Sequence, residues 1–141
     1  MIRNARIEDF PAVFNLICEL ENKMMPETSS EKVFRQNLQN PCVFYWVYET
    51  ENRIVGFISL HINLLLHHAA PIAEIQELVV KSDFRGKRIG AKLIEVAFDT
   101  AKKENCELLE VACNRNRTES HAFYEACRFE RTHFKFVRTV L

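Results

Sequence analysis

The chain has 141 residues, 48% of them hydrophobic, which fits a single domain over residues 1–141 built on one core. Lys plus Arg and Asp plus Glu both number 19, so the formal net charge is zero. A neutral chain has no global field for DNA, RNA or an acidic membrane, so any basic site must be local.

The opening MIRNARIEDF has no apolar h-region, and no apolar stretch approaches the ~20 residues of a membrane span. A soluble, cytoplasmic protein is therefore expected. Residues 2–6 read as a short strand. Asp9 then precedes Phe10, Val13, Phe14, Ile17 and Leu20 at helical spacing, with Pro11 in the first turn. A polar segment leads into a weaker helix over about 31–39, which Pro41 stops. Residues 43–48 and 53–62 are rich in β-branched and aromatic side chains and form a hairpin. Pro71 interrupts, and 72–80 reads as a third long strand.

Ile89, Leu93, Ala97 and Ala101 make the apolar stripe of a helix ending near Asn105. Residues 108–113 form the next strand and 118–127 another helix. Residues 129–140 alternate and read as one or two closing strands. The strand–helix–strand over 72–113 is a βαβ unit with parallel strands and a right-handed crossover. With antiparallel hairpins on either side, the fold class is a mixed-sheet α/β or α+β domain. The five cysteines include no C-x-x-C pair and read as buried reduced thiols.

The helix at 89–104 begins where the strand at 72–80 stops, so its free N–H groups face the strand's carboxyl end. The junction carries Arg85-Gly86-Lys87-Arg88-Ile89-Gly90-Ala91. A first helical turn has unpaired N–H groups and partial positive charge. Gly86 and Gly90 leave room for an anion, and Arg85, Lys87 and Arg88 add cations. Most such clusters are solvated turns, but this one suits a phosphate or pyrophosphate. Neither a P-loop nor G-x-G-x-x-G is present.

Arg85-x-x-x-x-Gly90-Ala91 after an apolar strand resembles the acetyl-CoA signature of the GNAT superfamily of N-acetyltransferases. Asn114, Ala122-Phe123-Tyr124-Glu125 and Phe129 resemble that family's second motif. Arg88 and Arg128 stand where the family usually has glycine. His67-His68, the strand Glu74 to Val80, the Tyr124 helix and the ending His133-Phe134-Lys135-Phe136 resemble the aminoalkylphosphonate N-acetyltransferases within it.

The resemblance implies a mixed, mostly antiparallel sheet of six to seven strands, about four helices and a central parallel pair. It implies acetyl-CoA as cofactor, held by residues 85–91 (Ile89 and Ala91 included), by the backbone of Leu78, Val79 and Val80, and by Asn114. It implies a small-molecule amine as acceptor, with an aminoalkylphosphonate as the narrower choice and His67 and His68 as its contacts. Another small amine or a protein N-terminus is the alternative acceptor.

Attack by an amine on a thioester needs a base, because aliphatic amines have a pKa near ~10.4. Glu74 and Glu77 are the candidates. Three apart on a regular strand, they point to opposite faces unless the strand bulges. The family position favours Glu74. Tyr124 is the matching general acid, although a buried aromatic with a satisfied hydroxyl is the bland reading. No metal-ligand set is visible, and adjacent His67 and His68 point apart on a strand. A non-catalytic acyl-CoA sensor and a nucleotide-binding protein are competing classes. A homodimer is the expected assembly, since C-terminal edge strands can pair between subunits.

Overall fold

The computed structural model describes residues 1–141. Strand β1 (Ile2–Asn4) leads through a short 3-10 turn into α1 (Phe10–Glu21) and α2 (Glu27–Leu38). Strands β2 (Val43–Thr50), β3 (Arg53–Leu65) and β4 (Ala70–Val80) follow, then α3 (Ile89–Lys103), β5 (Leu109–Val111) and α4 (Thr118–Ala126). Pro11 sits in the first turn of α1, where its missing N–H costs nothing. Helix α2 starts at Glu27, earlier than its sparse apolar pattern predicts, and buries only Phe34. The β2–β3 turn places Glu51 and Asn52 at left-handed φ of 51° and 59°, which suits the strand twist.

The strands run β1-β2-β3-β4-β5 across one sheet. The first three pairings are antiparallel, and β4 pairs with β5 in parallel. One face packs Val55, Ile58, Leu60, Ala73 and Ile75 against Ile89, Leu93, Ile94, Ala97 and Ala101 of α3. The other packs Val47, Phe57 and Val79 against Phe10, Val13, Phe14 and Leu16 of α1 and Phe34 of α2. The βαβ unit and the four helices expected from the sequence are present. No helix is long and apolar enough to cross a membrane.

The sheet has five strands, not six to seven. Residues 129–140 form no strand, and no backbone–backbone hydrogen bond involves residues 130–141. The alternation there is real, but a strand needs an edge to pair with, and alternation does not name that edge.

Two ends are fixed by specific bonds. Arg3 reaches Asp9 (2.8 and 3.0 Å) and Glu49 (2.9 Å), tying β1 to the start of α1 and to β2. Burial alone would raise the Asp9 pKa, but the bonds from the Arg3 side chain and the Arg6 N–H outweigh it and hold the carboxyl below its usual range. At the end of α4, Arg128 adopts φ 72°. Its N–H donates to the Glu125 carbonyl, and the Phe129 N–H donates to that of Tyr124, both at 3.0 Å. This is a complete Schellman closure with arginine in the left-handed place that glycine favours. Arg128→Gly should raise stability by about 0.5–1 kcal/mol, the strain relieved less the added chain entropy. A thermal midpoint higher by a few degrees checks this.

Candidate active site

The site is built around the place where β4 and β5 part. They pair only over Ala73–Ile75 and Leu109–Val111, while β4 continues to Val80 against β3. Beyond Ile75 the outer edge of β4 therefore has no strand beside it. Glu77 and Lys81 turn their N–H groups toward β3, to Ser59 Oγ (2.9 Å) and the Val55 carbonyl (2.8 Å). Strand alternation then turns the N–H groups of Leu78 and Val80 into the gap.

The gap opens into a cleft of about 1470 Å³. Leu78, Val79 and Val80 form one wall, and Arg85, Gly86, Arg88, Ile89, Gly90 and Ala91 the end under α3. Tyr124 and Phe123 of α4 form the facing wall. Arg88 caps α3 at left-handed φ 65°, the conformation that the glycine it replaces would adopt freely. Gly86 is at φ 78° with nothing within 4 Å of where a Cβ would stand. An anion can therefore approach that backbone. Gly90 differs: its ideal Cβ would lie 3.1 Å from Phe123 Cζ. The space that Gly90 leaves is taken up by α4.

The three cations of the loop do not act alike. Arg85 folds back, donating to the Val80 carbonyl (3.0 Å) and reaching Glu19 of α1 at 3.4 Å. Glu19 also accepts the Ser82 N–H at 3.0 Å, so α1 steadies the loop. Lys87 lies over the Phe84 ring at 5.0 Å and is not part of the cleft wall. Arg117 and Arg128, from the far side of the cleft, join Arg88 in lining it. Arg117 did not stand out in the sequence and Arg128 did so only as a replaced glycine, because only the packing of α4 against α3 brings them round.

The two glutamates share a face. Ser59 pairs with Glu77 and Leu60 with Ile75, so Gln76 is an extra residue, a β-bulge. Ile75 packs toward α3, whereas Val79 packs toward α1. The bulge thus turns Glu77 to the α1 face together with Glu74. Ser59, wholly buried, donates from its hydroxyl to Glu77 and accepts the Glu77 N–H. Glu74 accepts from Gln76 (2.6 Å) and stands opposite His61. Both carboxylates lie across the sheet from α3, Glu74 where β4 still pairs with β5 and Glu77 beyond it, and neither lines the cleft.

Tyr124 packs edge-on to Phe123 and Phe129, at 5.3 and 5.8 Å between ring centres. Burial pushes its phenol up to about 12, with Cys113 and Cys127 adding to the shift and Arg117 opposing it. The group is a neutral donor over the whole working range of pH.

Two predicted site elements stand apart from the cleft. Asn114 caps the turn before α4: its side chain accepts the Asn116 N–H (2.9 Å), and its carbonyl accepts from His121 (2.7 Å). It does not line the cleft. His67 and His68 sit in the β3–β4 turn with rings 4.3 Å apart, and His68 lies 3.6 Å from Glu107. Glu107 does line the cleft. No cluster of three or more His, Cys, Asp or Glu side chains could hold a metal ion.

A mixed sheet whose strands part beside a glycine-containing loop at a helix N-terminus defines an α+β domain with a cleft between a free strand edge and two helices. The Acetyltransferase (GNAT) family model matches residues 10–129, and the chain belongs to that family. It is 37% identical over 139 residues to the aminoalkylphosphonate N-acetyltransferase of Salmonella typhimurium, spanning 99% of this chain and 90% of that protein. Its fold is similar to a putative acetyltransferase from Agrobacterium tumefaciens, with a TM-score of 0.85, 27% identity and coverage of 98% and 99% of the two chains. A transcriptional regulator from Bacillus halodurans reaches a TM-score of 0.91 at 20% identity over 99% of both chains, a likeness of fold alone. The protein is a GNAT-type N-acetyltransferase.

Proposed function

We propose that the protein moves the acetyl group of acetyl-CoA to the primary amine of a small aminoalkylphosphonate. The observation that carries this is the parting of β4 from β5 beside a cleft walled by β4, α3 and α4, with Glu74 and Glu77 on the face of β4 away from α3. The acceptor class rests on the likeness to the Salmonella enzyme along nearly the whole chain.

When bound, acetyl-CoA supplies an acetyl thioester. The cradle from Arg85 to Ala91 fits its pyrophosphate, because Gly86 leaves the backbone open and the first turn of α3 offers free N–H groups. Arg88, Arg117 and Arg128 add charge along the same cleft. The edge of β4 fits the pantetheine arm, and the Leu78 N–H, pointing into the gap, is the donor for a thioester carbonyl. The amine enters from the α1 face. Glu74 accepts its proton, directly or through one water, and Glu77 is the second choice because Ser59 already engages it. Tyr124, on the cleft side, gives its proton to the leaving sulfur. Base and acid thus work from opposite sides of the sheet. His67 and His68, at the end of the β3–β4 hairpin, are the candidate contacts for the phosphonate.

An amine panel assayed for coenzyme A release tests this. Release should be fastest with aminoalkylphosphonates, and Glu74→Gln should cost about 10²–10⁴-fold in kcat/KM. A loss confined to Glu77→Gln would move the base to Glu77. Turnover of other amines but not of phosphonates would overturn the acceptor. No release with any amine would leave an acyl-CoA sensor.

A further inference from the structure

Only two polar side chains of the protein are buried, Asp9 and Ser59. Asp9 bonds to the Arg3 side chain and the Arg6 N–H, which ties β1 to the start of α1. Ser59 makes no such tie between elements far apart. Its hydroxyl donates to the Glu77 carboxylate and accepts the Glu77 N–H at 2.9 Å, so both bonds go to one residue of the neighbouring strand. A buried hydroxyl is unfavourable unless bonded, and an alanine would fill the same place in the sheet without that demand. The two bonds therefore act on Glu77.

The strand register shows what surrounds the pair. On the face toward α1 and α2, Val47, Phe57 and Val79 form one cross-strand row and belong to the core. Tyr45, Ser59 and Glu77 form the next row, and Glu74 stands in the one after it, opposite His61. The face thus turns from apolar to polar at Ser59. Tyr45 closes one end of its row, where its hydroxyl accepts from Asn37 of α2 at 2.6 Å. At the other end, Glu77 gives one carboxylate oxygen to Ser59 and pairs with no Lys, Arg or His. Its second oxygen is left for a ligand. A free glutamate side chain samples several rotamers, whereas one held at both its N–H and its carboxylate does not.

We propose that Ser59 is a positioning residue for the acceptor: it clamps Glu77 so that the second carboxylate oxygen holds the amine nitrogen beside Glu74. Glu77 then binds the amine, and Glu74 takes its proton. This rests on the acetyl-transfer reading with Glu74 as base, but on no particular amine. Neither Ser59 nor Glu77 lines the cleft, so acetyl-CoA binding does not depend on the clamp.

Steady-state kinetics over a double-mutant cycle test the clamp, with whichever amine the wild-type protein turns over fastest. Ser59→Ala and Glu77→Ala should each raise the KM of the amine about tenfold or more, and leave kcat and the Kd for coenzyme A within about threefold of wild type. Combined, they should cost no more than Glu77→Ala alone, because Ser59 acts only through Glu77. Ser59→Cys, with nearly the same volume and only a weak S–H donor, carries the same comparison if the alanine variant does not fold. Additive losses would overturn the proposal, since Ser59 would then serve packing. So would an unchanged KM in either single variant; joined to a fall in kcat, it would put Glu77 in the proton path. No turnover of any amine would bring down the acetyl-transfer reading and the clamp together. Turnover that Glu74→Gln abolishes, with additive Ser59 and Glu77 effects, would bring down the clamp alone.

Discussion

Tyr124→Phe is expected to lower kcat by about 10²–10⁴-fold while leaving acetyl-CoA affinity within about threefold of wild type. The change removes one hydroxyl from a site packed by Phe123 and Phe129, so the ring keeps its contacts and α4 its position. On the proposed mechanism, what is lost is the proton donor on the cleft side. Because burial pushes the phenol up to about 12, the donor form is fully populated at neutral pH. The wild-type rate should therefore show no alkaline fall from Tyr124 below about pH 11. Any fall at lower pH belongs to another group. Single-turnover kinetics with a saturating amine separate the two parameters, and an unchanged kcat would remove Tyr124 from the proton path.

Gly90→Glu is expected to weaken acetyl-CoA binding by a hundredfold or more, through two separate causes. A Cβ at this position meets Phe123 at 3.1 Å, so the Phe123 ring must shift to admit any side chain. The carboxylate would also stand in the first turn of α3, where a bound pyrophosphate carries like charge. Gly90→Ala separates the causes: it keeps the steric demand of one carbon and adds no charge, so it should cost only about tenfold or less. Calorimetric titration with coenzyme A reads both. Equal losses would assign the whole effect to the packing of α4 on α3.

The parts of this site that were legible in the sequence are those that local chemistry dictates. The βαβ unit announced itself through the 72–80 run and the Ile89, Leu93, Ala97, Ala101 stripe. The cradle followed from where that helix begins. The left-handed demand at Arg128 followed from the glycine it replaces, and the structure places it at φ 72°. What stayed hidden depends on partners distant in sequence. The bulge at Gln76 puts Glu74 and Glu77 on one face, yet it arises from pairing with Ser59 and Leu60 and has no glycine to mark it. Arg117 and Phe123 enter the cleft only because α4 packs where Gly90 leaves space. Asn114 caps its own turn and lies outside the cleft wall, a local engagement that its place in the sequence motif does not announce. Residues 129–140 have the alternation of a strand but pair with no edge of the sheet.

The most direct test of the account is thermal unfolding of the wild-type protein with coenzyme A and, separately, with ATP. Both ligands carry adenine and phosphates, but only coenzyme A has the arm that we propose lies along the free edge of β4. At about 100 times its Kd, coenzyme A should add about 2.7 kcal/mol of stability and raise the unfolding midpoint by several degrees. ATP at the same concentration should leave it nearly unmoved. Equal protection by ATP would contradict the account, because the cleft would then be a nucleotide site with no use for the parted strands.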